Sequence, residues 1–268
     1  MSIFNPVAII QARTGSSRLP NKVLAELANK NSMLYYVIQR CQQSRLTNKV
    51  VVATSVLQRD DPVEEIAKSI GVNVYRGSEN DVLQRYLEAA SQENADPIIR
   101  ITGDCPLVDP AIIDQVLDCY FHESVDYVSN NISVHGFPRG MDCEVVSYSS
   151  LQRVMNETSE EDVHYREHAT NYIYGHPELF KIFLLDPPDY FKRYDVRLCV
   201  DEETDLELVR YICEHFYPKE DFTLAEIIDF LDRNPEIAKL NRNVRQKSDD
   251  FSEFIQKEES NIIRKQSL

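Results

Sequence analysis

Val7-Ala8-Ile9-Ile10-Gln11-Ala12-Arg13-Thr14-Gly15-Ser16-Ser17-Arg18-Leu19-Pro20-Asn21-Lys22 is the stretch from which the rest of the chain is read. Its four apolar residues, Val7 to Ile10, stop at polar Gln11 and Arg13, as a buried parallel strand does at its carboxyl end. The following loop carries three cations (Arg13, Arg18, Lys22), three hydroxyls (Thr14, Ser16, Ser17) and Gly15, one of seven glycines in 268 residues. Pro20 stiffens it. A glycine-containing turn leading toward a helix aims backbone N–H groups at phosphate, while Arg and Lys neutralise its charge. The plainer alternative is a solvated loop that happens to be basic; the scarcity of glycine and its position at a β-α turn favour the phosphate reading. The spacing matches neither G-x-x-x-x-G-K-[ST] nor G-x-G-x-x-G, so the loop is of another kind.

Outward from this strand, the first 125 residues alternate strand and helix. Val50 to Ala53, Val72 to Tyr75 and Ile98 to Ile101 read as further strands. Between them, Met33, Leu34, Val37, Ile38 and Cys41 repeat at helical spacing after the candidate cap Asn31-Ser32. Asp61-Pro62 reads as a cap plus an initial proline, with Gly71 ending that helix, and Asp109-Pro110 opens another. Val82, Leu83, Tyr86 and Ala90 mark a helix between the third and fourth strands. Repeated β-α units predict a three-layer α/β fold: a mostly parallel sheet with helices on both faces and ligands at the carboxyl ends of the strands. Further along, 127–180 reads as a mixed strand-and-loop insertion, with helices over Asp162 to Tyr174, Asp205 to Phe216 and Leu224 to Leu231. Strands are expected near Phe180 to Leu185 and Val196 to Val200. Residues 1–242 form one domain in this reading, and 243–268 a polar, loosely held tail.

The net charge of −15 argues against a nucleic-acid backbone or an anionic membrane as partner, since either needs a dominant Lys/Arg face. No apolar stretch approaches the ~18 residues of a membrane span, and Met1 to Pro6 lacks the order of a signal peptide. The six cysteines show no C-x-x-C pair and no metal-ligand spacing, which predicts reduced thiols and a cytoplasmic setting.

Two more segments carry chemistry. In Arg100-Ile101-Thr102-Gly103-Asp104-Cys105-Pro106-Leu107, Asp104 falls just past a buried strand, between a glycine and a rigid proline. Its carboxylate suits Mg²⁺, which takes one or two carboxylates plus phosphate oxygens and water. A turn or capping role for Asp104 is the alternative. In Val200-Asp201-Glu202-Glu203-Thr204-Asp205, Asp201 ends an expected strand and supplies a second carboxylate; the alternative is acid complementing a helix dipole. Ala53, Thr54, Arg76 and Thr102, at or just after the ends of neighbouring strands, are candidates for base and ribose contact. Asp142 and Glu144 in Gly140 to Glu144, with Arg166-Glu167-His168, are candidates for an acceptor. His168 has no Ser or Cys partner of the kind a hydrolase triad requires.

These residues resemble the cytidylyltransferase superfamily that activates acidic sugars, the acylneuraminate and 3-deoxy-manno-octulosonate enzymes, and within it the spore coat polysaccharide biosynthesis protein F branch. The resemblance is carried by IIQARTGSSRLPNKVL (9–24), VYRGSENDVLQRY (74–86), RITGDCPLVDP (100–110), GMDCEV (140–145), REHATNYI (166–173) and VDEETDLELV (200–209), in family order. It implies a nucleotide-diphospho-sugar-transferase-like (GT-A-like) fold, usually as a homodimer. Arg13, Gly15, Ser16, Arg18 and Lys22 match the triphosphate loop, and Asp104 and Asp201 match the Mg²⁺ positions. The chain departs from the pattern at Glu203, where the branch often has proline, at Thr102, where octulosonate enzymes carry glutamine, and at Asn171, where near relatives tend to proline. The implied reaction is attack of a small acidic sugar's hydroxyl on the α-phosphate of CTP, serving surface polysaccharide or glycoconjugate synthesis. Two rivals remain at this point: a glycosyltransferase using a finished nucleotide-sugar, and a nucleotide-binding protein without catalysis. Against the first, Asp104 is followed by Cys105-Pro106 rather than forming D-x-D; against the second, Arg13, Lys22, Asp104 and Asp201 are intact.

Overall fold

A computed structural model describes residues 4–130, 136–245 and 262–266. The apolar runs read from the sequence form β1 (Val7–Gln11), β2 (Lys49–Ser55), β3 (Asn73–Gly77) and β4 (Ile98–Thr102), all parallel. β5 (Tyr127–Ser129) and β6 (Glu144–Val146) follow, with β6 antiparallel to both β4 and β5. β7 (Ile182–Asp186) runs parallel to β5, and β8 (Ile262–Gln266) parallel to β7. The described residues thus make one eight-stranded sheet in the order β3-β2-β1-β4-β6-β5-β7-β8.

Strand alternation decides the layers. Ala8, Ile10, Val52, Ile99 and Ile101 face one core, completed by α1 (Met33–Gln42), α2 (Asp61–Ser69), α4 (Pro110–Glu123), α8 (Glu203–Phe216) and α9 (Leu224–Arg233). Val7, Ile9, Val51 and Ile98 face the other, against α3 (Val82–Glu93), α5 (Tyr148–Glu157) and α7 (Asn171–Gly175). Each fully buried Ile or Val gains about 1.5–3 kcal/mol over exposure, so a one-residue slip of β1 would forfeit both faces at once. No helix among the described residues is long and apolar enough to cross a membrane.

The expected punctuation is present. Ser32 caps α1, its hydroxyl accepting from Tyr35 N–H at 3.2 Å, and Gly71 takes φ +79° just after α2. Asp109 caps α4 through Ala111 N–H (2.8 Å) and also accepts from Leu224 N–H (2.6 Å), tying the start of α9 to that of α4. The six cysteines are free thiols.

Four expectations are revised. The helix expected over Asp162 to Tyr174 is two short ones, α6 (Val163–Glu167) and α7. The break falls where the Thr170 hydroxyl donates to Glu144 on β6 (2.6 Å), drawing the chain onto the sheet. Val196 to Val200 forms no strand: Leu198 N–H bonds the Arg139 carbonyl (2.7 Å) and Val200 N–H the Asp104 carbonyl (2.8 Å), two separate loops rather than one ladder. Within the tail, Ile262–Gln266 joins the sheet as β8, while 246–261 lie outside the described residues. Finally, Asp60 rather than Asp61 occupies the residue before α2, and its carboxylate is committed elsewhere.

Candidate active site

The phosphate-loop candidate is shaped by that Asp60 carboxylate. Fully buried, it accepts from Thr14 N–H (2.7 Å), Thr14 Oγ (2.7 Å) and Ser55 Oγ at the end of β2. Burial alone would raise its pKa, but these hydrogen bonds prevail and hold it below the usual carboxylate range. Thr14, so anchored, receives Ser16 N–H and Asn21 N–H on its carbonyl, both at 2.9 Å, which curls residues 14–21 into a closed loop. Asn21 completes the curl in the left-handed region, φ 61°. The amides of Gly15, Ser17 and Arg18 take no acceptor among the described residues. Arg18 Nη1 is likewise buried without a partner there. A buried donor left unmatched, as Arg18 Nη1 is, is what an anion satisfies.

A cavity of about 650 Å³ opens beside this loop at the carboxyl ends of β1 and β4. Arg13, Gly15, Ser16, Ser17, Arg18 and Lys22 line one side; Thr102, Asp104, Cys105 and Asp201 line the next. The β4 turn lies close to β1, Gly103 N–H donating to the Gln11 carbonyl at 2.8 Å; a Cβ on Gly103 would come within 3.0 Å of that oxygen.

Lys22 stands where the two carboxylates meet. Its Nζ donates to Asp104 Oδ2 (3.0 Å), Asp201 Oδ1 (3.0 Å) and the Val200 carbonyl (2.7 Å). Burial works to lower its pKa, but Asp104 and Asp201 outweigh burial and raise it. Asp104 is lowered: burial opposes, and the Lys22 charge with the Thr102 hydroxyl prevails. Asp201 is braced by Arg18 (2.8 Å) and Arg197 (2.6 Å), and Arg197 is itself held by Asp205 (3.1 Å). Hard oxygens from two chain segments therefore converge on one cationic point. No group of three or more His, Cys, Asp or Glu able to hold a metal occurs among the described residues. Two carboxylates are the complement Mg²⁺ takes when phosphate oxygens and water complete its shell, so the donor set fits that ion in company with a nucleotide.

The far end of the cavity is lined by Arg100, Arg139, Asp142, Glu144, Glu167, His168, Asn171 and Tyr174. Arg100 on β4 faces Glu144 directly across the β4–β6 pair and forms an ion pair with it, with a second contact to Gln11 Oε1 at 3.4 Å. Arg100 Nε is buried here without a partner among the described residues. Burial pushes the Asp142 carboxyl up, Arg139 opposes, and Asp104 and Glu144 add to the rise. Arg13 lies 3.5 Å from each of the Glu79 and Glu167 carboxylates.

Of the residues singled out in the sequence, the cavity gathers Arg13, Gly15, Ser16, Ser17, Arg18, Lys22, Thr102, Asp104, Asp142, Glu144, His168 and Asp201. Ala53 and Thr54 are fully buried in β2, where the Ala53 carbonyl accepts from Ala12 N–H (3.2 Å), and they do not line it. The Arg76 guanidinium is occupied by Asp61 and Glu64 and by the carbonyls of Ser55 and Leu57, outside the cavity. Arg166 is buried against Asp81 (3.0 Å) and the Thr158 carbonyl (2.7 Å), so it braces α6 to the start of α3. Glu167, read with Arg166 and His168, also lines the cavity; sequence reading missed Arg100, Arg139, Asn171 and Tyr174 in the lining, and Asp60 beneath it. Arg100 had a signal, a charge inside the apolar run Ile98-Ile99-Arg100-Ile101; Asp60 looked like half of an ordinary cap.

The sequence profile of the cytidylyltransferase family matches residues 7–228, from β1 into α9. The chain belongs to the cytidylyltransferase family. It is accordingly an enzyme of nucleotidyl transfer. An uncharacterized protein of Methanocaldococcus jannaschii is 41% identical over 243 residues, 90% of this chain and 96% of that protein. The spore coat polysaccharide biosynthesis protein SpsF of Bacillus subtilis is 36% identical over 234 residues, 86% and 95% of the two chains. A cytidylyltransferase structure from Leptospira borgpetersenii superposes with a TM-score of 0.82 at 33% identity, covering 92% of this chain and all of that one. A structure described as a CMP:2-keto-3-deoxy-manno-octonic acid synthetase complexed with CTP, at 19% identity and TM-score 0.58, shares the fold.

Proposed function

We propose that this cytidylyltransferase moves CMP from CTP to a hydroxyl of a small acidic sugar and releases pyrophosphate, in the synthesis of a surface polysaccharide or glycoconjugate. The observation that carries the reading is the loop 13–22, with its open amides and the unpartnered Arg18 Nη1, facing the Asp104–Asp201 pair across one cavity. In the reaction the acceptor oxygen bonds to the α-phosphorus, its hydroxyl proton passes to solvent, and the bond from that phosphorus to the oxygen bridging the β-phosphate breaks. Such a displacement depends mainly on alignment and on stabilising charge. Arg13, Arg18 and Lys22 neutralise the departing pyrophosphate, and the amides of Gly15 and Ser17 donate to its oxygens. Asp104 and Asp201 would hold Mg²⁺, which when bound supplies Lewis-acid stabilisation of phosphate charge.

The acceptor belongs at the end lined by Arg100, Arg139, Asp142, Glu144 and His168, where two guanidinium groups favour an acid and the carboxylates favour hydroxyls. Relatives named as 3-deoxy-manno-octulosonate cytidylyltransferases support an acidic sugar; one from Solibacter usitatus is 40% identical over 119 residues, 44% of this chain. A homodimeric, cytoplasmic enzyme is part of the same proposal. Pyrophosphate release from each of four nucleoside triphosphates, with Mg²⁺ and a panel of sugar acids, tests it. Release with CTP and a sugar acid alone is the expected result. Release of nucleoside diphosphate from a nucleotide-sugar, with none of pyrophosphate, would overturn it in favour of glycosyl transfer.

A further inference from the structure

We propose that the Lys22 ammonium is the resident cation of the Asp104–Asp201 pair, keeping the divalent-metal seat closed until a nucleoside triphosphate draws it away. The inference rests on the reading above, in which those two carboxylates hold the metal. An ammonium has three protons, and all three are matched here: Asp104 Oδ2 at 3.0 Å, Asp201 Oδ1 at 3.0 Å and the Val200 carbonyl at 2.7 Å. A divalent ion on the same oxygens would lie about 2.0–2.1 Å from each. Nζ and the ion would then share a space too small for two cations, so occupancy by one excludes the other.

The geometry also provides for the exchange. Lys22 ends the loop whose open amides and Arg18 face the cavity, and its flexible four-carbon stem reaches that phosphate side without moving the backbone. Asp201 does not collapse when Lys22 leaves, because Arg197, itself held by Asp205, stays on its other oxygen at 2.6 Å. Asp104 stays in place at the turn whose carbonyl accepts from Val200 N–H (2.8 Å). The seat outlives its internal cation. A triphosphate therefore removes the competitor and delivers the phosphate oxygens that complete the metal's shell. Nucleotide and metal favour each other's binding reciprocally, through one side chain.

The test is Mn²⁺ binding to nucleotide-free protein, read by electron paramagnetic resonance of the free ion, in wild type, Lys22→Met and Lys22→Gln. Circular dichroism confirms that the variants fold. Both are expected to bind Mn²⁺ about 10- to 100-fold more tightly than wild type, the scale of one charge-assisted contact removed from competition. Adding Asp104→Asn to Lys22→Met should abolish the gain. Equal Mn²⁺ affinity in wild type and variants overturns the proposal. A gain that survives Asp104→Asn puts the ion elsewhere, and then the assignment of the metal to this carboxylate pair fails instead. Should neither variant fold, nitrogen-15 spectra of the lysine ammonium groups in wild type give an independent reading. One protected ammonium signal in the free protein should shift on saturation with CTP in the absence of divalent ions, and an unchanged spectrum overturns the proposal.

Discussion

Removing the Asp60 carboxylate strikes the phosphate loop at its anchor without touching any group that faces the cavity. Asp60→Ala deprives three donors of their acceptor: Thr14 N–H, Thr14 Oγ and Ser55 Oγ. The Thr14 hydroxyl has a second acceptor, the Arg59 carbonyl at 3.3 Å, and the Ser55 hydroxyl can rotate; the Thr14 amide has no other acceptor among the described residues. A buried donor left unpaired costs about 1–3 kcal/mol, so one full and two partial losses amount to ~2–5 kcal/mol of unfolding free energy. Urea unfolding at neutral pH measures it. The pH dependence follows from the depressed pKa of Asp60. A carboxyl lower in the folded than in the unfolded state, where it titrates near ~3.9, contributes stability in full above that value and loses it as pH falls through the folded pKa. Asp60→Asn should therefore flatten part of the acid-side fall in stability. Both variants should also weaken CTP more than CMP, because the loosened loop is the one assigned to the outer phosphates. Stability within about 0.5 kcal/mol of wild type, the scatter of ordinary surface substitutions, together with unchanged CTP affinity, would refute this account of the loop.

Asp104→Asn should leave the fold intact, as judged by circular dichroism, and lower Mg²⁺-dependent turnover by roughly 10³-fold, since a lost metal carboxylate removes several kcal/mol of charge stabilisation. Near-normal turnover at limiting Mg²⁺ would contradict the ligand role. Lys22→Met should raise the CTP dissociation constant by ~10–150-fold, the scale of one charge-assisted contact, while CMP, lacking the outer phosphates, changes by less than about threefold; calorimetry with CMP, CDP and CTP checks it, and equal losses for CMP and CTP would place Lys22 at the α-phosphate. Gly140→Ala should destabilise by at least ~2 kcal/mol in thermal unfolding, given the φ of +101° and a Cβ only 2.5 Å from the backbone of Leu198 and Cys199, neither of which can give way cheaply.

The parallel half of the fold was legible because both its signals are local. A buried strand announces itself by a short apolar run, as in Val50 to Ala53, and a helix start by a cap such as Ser32 or Asp109. The placement of loop 13–22 and of Asp104 followed, since a strand's carboxyl end is fixed once the strand is. What stayed hidden depends on partners distant in sequence. The break between α6 and α7 is set by Thr170 reaching Glu144, 26 residues away. The irregular path through Val196 to Val200 is set by single bonds to Arg139 and Asp104. Asp60 could not be told from a cap because the choice between capping α2 and anchoring Thr14, 46 residues earlier, is made by tertiary approach alone. Ala53, Thr54 and Arg76 erred in the opposite direction. They sit at or near strand ends as expected, but two are sealed in the sheet, and the third is neutralised by Asp61 and Glu64.

The charges in the cavity also show why a basic loop in a chain of net charge −15 is no simple anion trap. Arg13 is opposed by Glu79 and Glu167, Arg18 by Asp201, Lys22 by Asp104 and Asp201, and Arg100 by Glu144. A triphosphate entering this site exchanges partners rather than meeting bare cations. Its affinity is therefore the difference between the attraction of these cations for phosphate and their attraction for the carboxylates they must leave. Of the carboxylates it frees, Asp201 and Glu144 are buried and cannot be left unpaired without a cost of several kcal/mol. Under the proposed function, a divalent ion arriving with the nucleotide would meet that need at Asp104 and Asp201. Under that proposal, the same pairing that balances charge in the free site would favour the metal–nucleotide complex over either component alone.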